Sequence, residues 1–250
     1  MADDASPFDD LPDDPRLCEP FCRQVSGAAG DVIVLGVVHD HPASVARVEL
    51  ALARLEPAVL ALELPPAALG LYRSYATEAG TDGRPRFGGE MSAAIATAPP
   101  GTTVVGIDAP NWSFCRRLAA RLVADRVQPS TARRVVAGLG GATRRALSCR
   151  LAATLTAATS LTVAADDPVS YDCSPTDSPA RQAEHERAHV AAVRALLDGG
   201  EPDAVSYRDE TREECMIDRL RDLRQRGDVV AVVGIDHLDP IATGLSGIDR

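Results

Sequence analysis

Short, strongly apolar segments constrain the fold of this chain more than any other feature. They are DVIVLGVV (31–38), AVLALEL (58–64), TTVVGID (102–108) and DVVAVVGIDH (228–237). Segments that are apolar at nearly every position are typical of strands buried on both faces, as in parallel sheets. Apolar residues at helical spacing follow the first segment and end at Pro57. This alternation of strand and helix predicts parallel βαβ units and therefore an α/β domain.

The domain organisation follows from the spacing of these segments. Residues 111–226 have little strand character, which predicts a helical insertion before the last strand. That strand must join the sheet, because a lone apolar strand would leave its backbone groups unpaired. We predict one domain over residues 31–242, with a mostly parallel central sheet flanked by helices, after an acidic, disordered tail and lead-in over residues 1–30. Residues 243–250 are predicted to be a short tail, and the apolar stripes of the insertion suggest a homodimer.

The charge composition excludes one class of partner. The formal net charge is -10, and the 26 basic side chains are all arginine, because the sequence contains no lysine. Nucleic-acid binding requires a basic stripe, so no nucleic-acid partner is expected. A lysine-free, aspartate-rich surface suits a halophilic cytoplasm, although biased codon usage would also produce it. The longest weakly polar run, residues 151–165, is too short to cross a bilayer, so we predict a soluble, cytoplasmic protein.

Two of the apolar strands end in matching G-x-x-H motifs. Residues 36–39 close the first strand with His39, and residues 234–237 close the last with His237. Parallel strands present reactive groups beyond their carboxyl ends, so neighbouring strands would bring both imidazoles into one crevice. Glu63 lies near the end of the second strand, and Glu90 directly follows the glycine pair Gly88-Gly89. Imidazole and carboxylate ligands suit Zn²⁺, Mn²⁺ or Co²⁺, whereas a single histidine of this kind would equally fit a turn cap.

Taken in order, these segments resemble the TraB/PrgY family, which is related to the TIKI metalloproteases and, more remotely, to erythromycin esterase and ChaN-like proteins. The resemblance covers roughly residues 32–241, and its most specific piece is G-G-E-M-x-A-A. The matching pieces are Gly36 to His39, Glu63, Gly88 to Ala94, Gly106 to Asp108, Arg208 and Asp209 with Met216, and Val232 to Ile241.

The resemblance implies an α/β domain with its histidines and glutamates around one cleft. For the TIKI branch it implies metal-dependent peptide cleavage, whereas the TraB/PrgY branch is associated with pheromone shutdown in plasmid conjugation. On this interpretation His39 and His237 bind a divalent ion (Mn, Co or Zn) with Glu63 or Glu90, and the remaining glutamate is the general base. Arg208 would hold an anionic group of a peptide or small-molecule substrate. Asp108 and Asp209 are the expected supporting residues. Asp40 and Asp236, which flank the two histidines, would either orient the imidazoles or be simple turn residues.

Departures from the family pattern leave the substrate open. No basic residue follows Glu63 before Arg73, Ala109 replaces the arginine of the family's G-D-R, and Tyr207 replaces the glutamate before Arg208. An arginine in such a cleft would bind a carboxylate or an oxyanion. The alternative is therefore a domain that binds a peptide or small ligand in the same cleft without turnover.

A second motif competes with the G-x-x-H pair. AEHERAH, residues 183–189, contains H-E-x-x-H, which in zinc metalloproteases places two histidines on one helix face with the glutamate as base. Here these would be His185, His189 and Glu186. The charged neighbours, including Arg187, favour a solvated surface helix instead. A zincin-type site remains a further alternative, with its third ligand among Glu210, Glu213 and Glu214.

Overall fold

The computed structural model describes residues 13–80, 83–108, 112–135, 169–197 and 204–247. Within them, five strands form one sheet in the order β1-β2-β5-β3-β4. Their bounds are β1 Cys22–Val25, β2 Val32–Val37, β3 Val59–Leu62, β4 Thr103–Gly106 and β5 Val229–Gly234. β1 runs antiparallel to β2, and the other neighbouring pairs are parallel. The predicted α/β class with a mostly parallel sheet is confirmed.

Helices cover both faces of the sheet. Their bounds are α1 Pro42–Leu52, α2 Leu69–Thr77, α3 Gly89–Thr97, α4 Trp112–Ala124, α5 Pro179–Leu197, α6 Ala204–Arg224 and α7 Ile235–Ser246. Val230 and Val232 of β5 pack on the face covered by α1, α2 and α3. Val229, Ala231 and Val233 pack on the face covered by α6 and α7. β2, β3 and β5 therefore bury consecutive side chains on opposite faces of the sheet, which explains their unbroken apolar sequences.

The last strand in sequence occupies the middle of the sheet. Val37 of β2 pairs with Gly234 of β5, and Leu62 of β3 pairs with Val232 of β5. The carboxyl ends of these strands consequently lie side by side, which is the condition under which the two G-x-x-H motifs share one crevice. The described parts of the insertion contain α4, α5 and α6, which confirms its helical character.

The lead-in differs from the sequence prediction of a disordered segment. Residues 15–17 and 19–21 form short 3₁₀ helices, and β1 pairs with β2, with Cys22 opposite Leu35. The four-residue strand CRQV has no apolar run, so its structure depends on pairing with the edge of β2 rather than on a local pattern. Residues 1–12 of the predicted tail lie outside the described residues.

The other end of the domain also extends further than predicted. Helix α7 continues to Ser246, past the predicted boundary at residue 242. Among the described helices, none combines the length and the apolarity that crossing a bilayer requires. The weakly polar run over residues 151–165 lies outside the described residues.

Candidate functional site

A cavity of about 260 Å³ opens at the carboxyl edge of the sheet. His39 after β2, Glu63 after β3 and His237 at the start of α7 all line it. The two histidines meet there because β2 and β5 are hydrogen-bonded neighbours. Two imidazoles and one of the two predicted glutamates thus face the same space. The remaining lining residues are Val37, Val38, His189, Val190, Val193, Arg194, Gly234, Ile235 and Asp236.

His39 lies in a cluster with two carboxylates. Its Nδ1 is 3.2 Å from Glu90 Oε1, and its Nε2 is 3.6 Å from Asp40 Oδ2. Glu90 is only 2% exposed, and its other oxygen accepts a hydrogen bond from the Asp40 backbone N–H at 2.9 Å. The glycine before Glu90 permits this approach, since a Cβ on Gly89 would lie 2.2 Å from Asp40 Oδ1. The G-G-E sequence is thus needed to bring α3 against the loop that carries His39.

His237 lies in a second cluster, between two other glutamates. Its Nδ1 is 2.8 Å from Glu213 Oε1 on α6, and its Nε2 is 3.4 Å from Glu63 Oε1. Burial opposes protonation of the ring, but the hydrogen bond with Glu213 and the charge of Glu63 outweigh it and raise the pKa of His237. Glu63 is held in turn by Gly234, whose backbone N–H donates to Oε2 at 2.7 Å.

Arg212, which was not among the predicted site residues, is the arginine that organises this second cluster. Its Nη2 donates to Glu63 Oε1 at 2.7 Å, and its guanidinium forms a two-point contact with Asp108 at 3.0 and 2.9 Å. Asp209 accepts a further bond at 3.2 Å. The predicted arginine, Arg208, contacts Asp209 at 3.2 Å and is not among the residues that line the described cavity. Arg212 follows Arg208 by one helical turn, a spacing that could have suggested it.

The H-E-x-x-H helix is not the fully solvated helix that its charged neighbours predicted. Glu186 and Gln182 are buried, and Glu186 forms an ion pair with the equally buried Arg47 of α1. Ser44 also donates to Glu186. Arg47 Nη1 further donates to the carbonyl of Gly36 at 2.8 Å. The surface prediction is wrong for this face of α5, because the buried guanidinium on α1 requires a carboxylate partner.

The two histidines of this motif make separate contacts. His185 Nδ1 is 3.0 Å from His41 Nε2, and these two rings with Cys173 have potential ligand atoms within 4.8 Å of one another. His189 instead lines the cavity, and its ring centroid lies 5.4 Å from that of Tyr171. Among the described residues, neither cluster of metal-type ligands combines His185 with His189. With the intervening glutamate in an ion pair, these contacts do not support a zincin-type site.

The hydrogen bonds of His41 indicate a structural role for its cluster. The Ala43 backbone N–H donates to His41 Nδ1 at 3.1 Å and thereby caps α1. In the neutral ring, the proton must then reside on Nε2, which donates to His185 Nδ1. Burial lowers the pKa of His41 to about 4, so the ring is neutral at pH 7. Because a metal-binding nitrogen must be unprotonated, we interpret this pair as a hydrogen-bonded link between α1 and α5.

The aspartates that flank the two G-x-x-H histidines have different contacts. Asp40 adopts a left-handed backbone with φ 58°, and its Oδ2 accepts a hydrogen bond from the Val169 backbone at 3.0 Å. It can therefore help to orient His39. Asp236 lies at the exposed rim of the cavity, with Oδ1 3.8 Å from Nε of Arg194.

His39, Asp40 and Glu90 form the cluster whose chemistry fits a divalent metal ion. Their potential ligand atoms lie within 4.8 Å of one another. One imidazole and two carboxylates suit Mn²⁺, Co²⁺ or Zn²⁺. The His39 side chain is 48% exposed, which leaves access from the cavity. His237 has both ring nitrogens near carboxylates of the other cluster, so its role as a metal ligand stays a prediction.

A scan against protein-family models, a search of curated proteins and a search of solved structures each found no match.

Proposed function

We propose that this chain is a metal-dependent hydrolase of the TraB/TIKI type that cleaves an amide bond in a peptide or a small molecule. The observation that carries the proposal is the shared cavity lined by His39, Glu63 and His237, with Glu90 behind His39. Imidazoles and carboxylates at the carboxyl edge of a parallel sheet are well placed for acid–base chemistry on a bound substrate.

His39, Asp40 and Glu90 would hold the divalent ion in this proposal. Such an ion polarises a carbonyl oxygen and lowers the pKa of water. The sequence prediction of His237 as a further ligand would require its ring to leave Glu63 or Glu213. We therefore assign His237 to proton transfer instead.

Glu63 and His237 would act as a base and an acid. As the water oxygen bonds to the carbonyl carbon, Glu63 takes a proton from that water. As the carbon–nitrogen bond breaks, protonated His237 gives its proton to the amine. The products are an acid and an amine, and the 3.4 Å between the two side chains allows the proton on Glu63 to return to His237. The raised pKa of His237 favours the protonated ring that this role needs.

Hydrolysis of a peptide library tests this proposal directly. The full chain would be incubated with Mn²⁺, Co²⁺ or Zn²⁺, and with a chelator as control, and cleavage would be followed by mass spectrometry. We expect cleavage with at least one of the ions and none with the chelator. Cleavage that continues at full rate in the chelator would contradict a metal-dependent reaction.

A second candidate is a peptide- or ligand-binding domain without turnover. The contacts of Arg212 favour it, because the guanidinium and the Gly234 N–H already occupy one position on each oxygen of Glu63. Such contacts stabilise the carboxylate and weaken it as a base. Saturable binding of library peptides without cleavage, with any of the three ions, would favour this candidate.

A further inference from the structure

One face of α5 forms a mixed wall of the cavity. His189, Val190, Val193 and Arg194 are spaced so that they share that face of the helix. Val37 and Ile235 add apolar surface from the sheet edge. The cavity therefore combines an apolar patch with one guanidinium, beside the residues proposed to carry the chemistry.

Arg194 differs from Arg212 in the strength of the contacts that its guanidinium makes with carboxylates. Arg212 is held by three carboxylates: Glu63, Asp108 and Asp209. Arg194 is 51% exposed, and its ion pair with Asp236 spans 3.8 Å between side chains that both face solvent. An exposed pair at that separation contributes little to stability, so a ligand anion can replace it. Arg194 thus provides a guanidinium at the cavity rim that can bind a ligand.

The position of α5 beside the cavity is set by the buried contacts of the helix. Glu186 lies about two turns earlier on the same helix and is paired with Arg47. Arg47 also binds the carbonyl of Gly36, the first residue of the G-x-x-H motif. This chain of contacts ties α5 to the strand end that carries His39. The helix that carries Arg194 is consequently fixed relative to the proposed site.

We propose that Arg194 binds the free carboxylate of an N-acylated apolar amino acid, including the C-terminal residue of a short peptide. The apolar side chain would pack on Val190 and Val193, and the amide bond would lie at Glu63 and His237. This inference rests on the proposed hydrolase function. A guanidinium matches the two oxygens of a carboxylate, and a monoanion is repelled less than a dianion by the many acidic groups of the site.

Binding of two matched ligands tests the carboxylate contact. N-acetyl-leucine and N-acetyl-leucinamide have nearly the same shape but differ in charge, and their affinities for the full chain would be measured by calorimetry. We expect the wild-type chain to prefer N-acetyl-leucine severalfold, because Arg194 is half exposed and solvent screens the contact. R194Q should lose that preference. R181Q, an exposed arginine in an ion pair on the same helix, should retain it.

A second matched pair of variants tests the apolar patch of the cavity. V193T changes a cavity residue and should weaken binding of N-acetyl-leucine severalfold, since a hydroxyl replaces a methyl group. V123T changes an exposed valine on α4 and should leave the affinity unchanged. Equal affinity of wild type for the acid and the amide, or an unchanged preference in R194Q, would overturn the inference.

Cleavage assays distinguish a failure of the carboxylate contact from a failure of the proposed hydrolase function. Acetyl-alanyl-leucine and its C-terminal amide would be offered to wild type and R194Q with each metal ion. Cleavage of both peptides at equal rates by both proteins would refute the carboxylate contact while leaving the hydrolase intact. An Arg194-dependent preference in binding, without cleavage under any condition, would refute the hydrolase and support the ligand class.

Discussion

Arg212 on α6 donates to Glu63 at the end of β3, with 2.7 Å between Nη2 and Oε1. The same guanidinium binds Asp108 just after β4 at two points. The helical insertion is thereby joined to two strand ends of the sheet. Burial disfavours the charge of Arg212, but the hydrogen bond and charge of Asp108, with Glu63 and Asp209, raise the pKa of Arg212 above its ordinary value. Arg212 therefore has both a structural role and a role in orienting the proposed base.

Replacement of Arg212 should destabilise the fold. R212Q would leave Glu63 and Asp108 without their cation, and removing one partner of a largely buried ion pair costs about 3 kcal/mol. Urea denaturation would measure the loss in the free energy of unfolding. R208Q is the matched control, because Arg208 is more exposed, contacts Asp209 and should cost less than about 1 kcal/mol. Equal losses in the two variants would show that the Arg212 contacts are not important for stability.

Replacement of Glu63 should abolish hydrolysis without removing the metal. E63Q retains the shape of the side chain but cannot take a proton from water, so we expect a rate loss of about 10²-fold or more. Elemental mass spectrometry should find unchanged metal content, because Glu63 is not in the His39 cluster. E210Q, an exposed site on α6, should leave both quantities unchanged. An unchanged rate in E63Q would move the base assignment to another residue.

Replacement of Glu90 should remove the metal. E90Q replaces one carboxylate of the His39 cluster with a weaker neutral ligand, and we expect the bound metal to become substoichiometric after dialysis. H185A should retain its metal, since the His41–His185 pair is interpreted as a hydrogen-bonded link. Loss of metal in H185A with retention in E90Q would instead place the ion at the His41–Cys173–His185 cluster.

The thiol of Cys22 should report whether β1 is docked on β2. Burial raises the pKa of Cys22 to about 12, so roughly one molecule in 10⁴ carries the thiolate at pH 8. Iodoacetamide should modify the exposed Cys115 at pH 8 and leave Cys22 unmodified, as judged by peptide mass spectrometry. Because the Cys22 thiol deprotonates only near its raised pKa, it should also stay largely unmodified when the pH is changed from 8 to 9. Equal modification of both thiols without denaturant would contradict the docked strand.

Much of the fold could be predicted because its causes are local. A strand buried on both faces needs apolar residues throughout, and that requirement is visible in β2, β3 and β5. The G-x-x-H motifs likewise placed His39 and His237 at strand ends, where a parallel sheet positions reactive groups. β1 could not be predicted in this way, because its polar residues become a strand only by pairing with the edge of β2.

The candidate site was only partly predictable, because some of its contacts, like the pairing of β1, join segments that are far apart in the sequence. The sequence alone predicted β2, β3, β4 and β5, the helical insertion, and the residues that end β2, β3 and β5. The contacts of Arg212 with Glu63 and of Glu213 with His237 became visible only in the folded chain, as did the pairing of Glu186 with Arg47. Charge pairs between segments far apart in the chain have no sequence period, since their partners are chosen by packing in three dimensions.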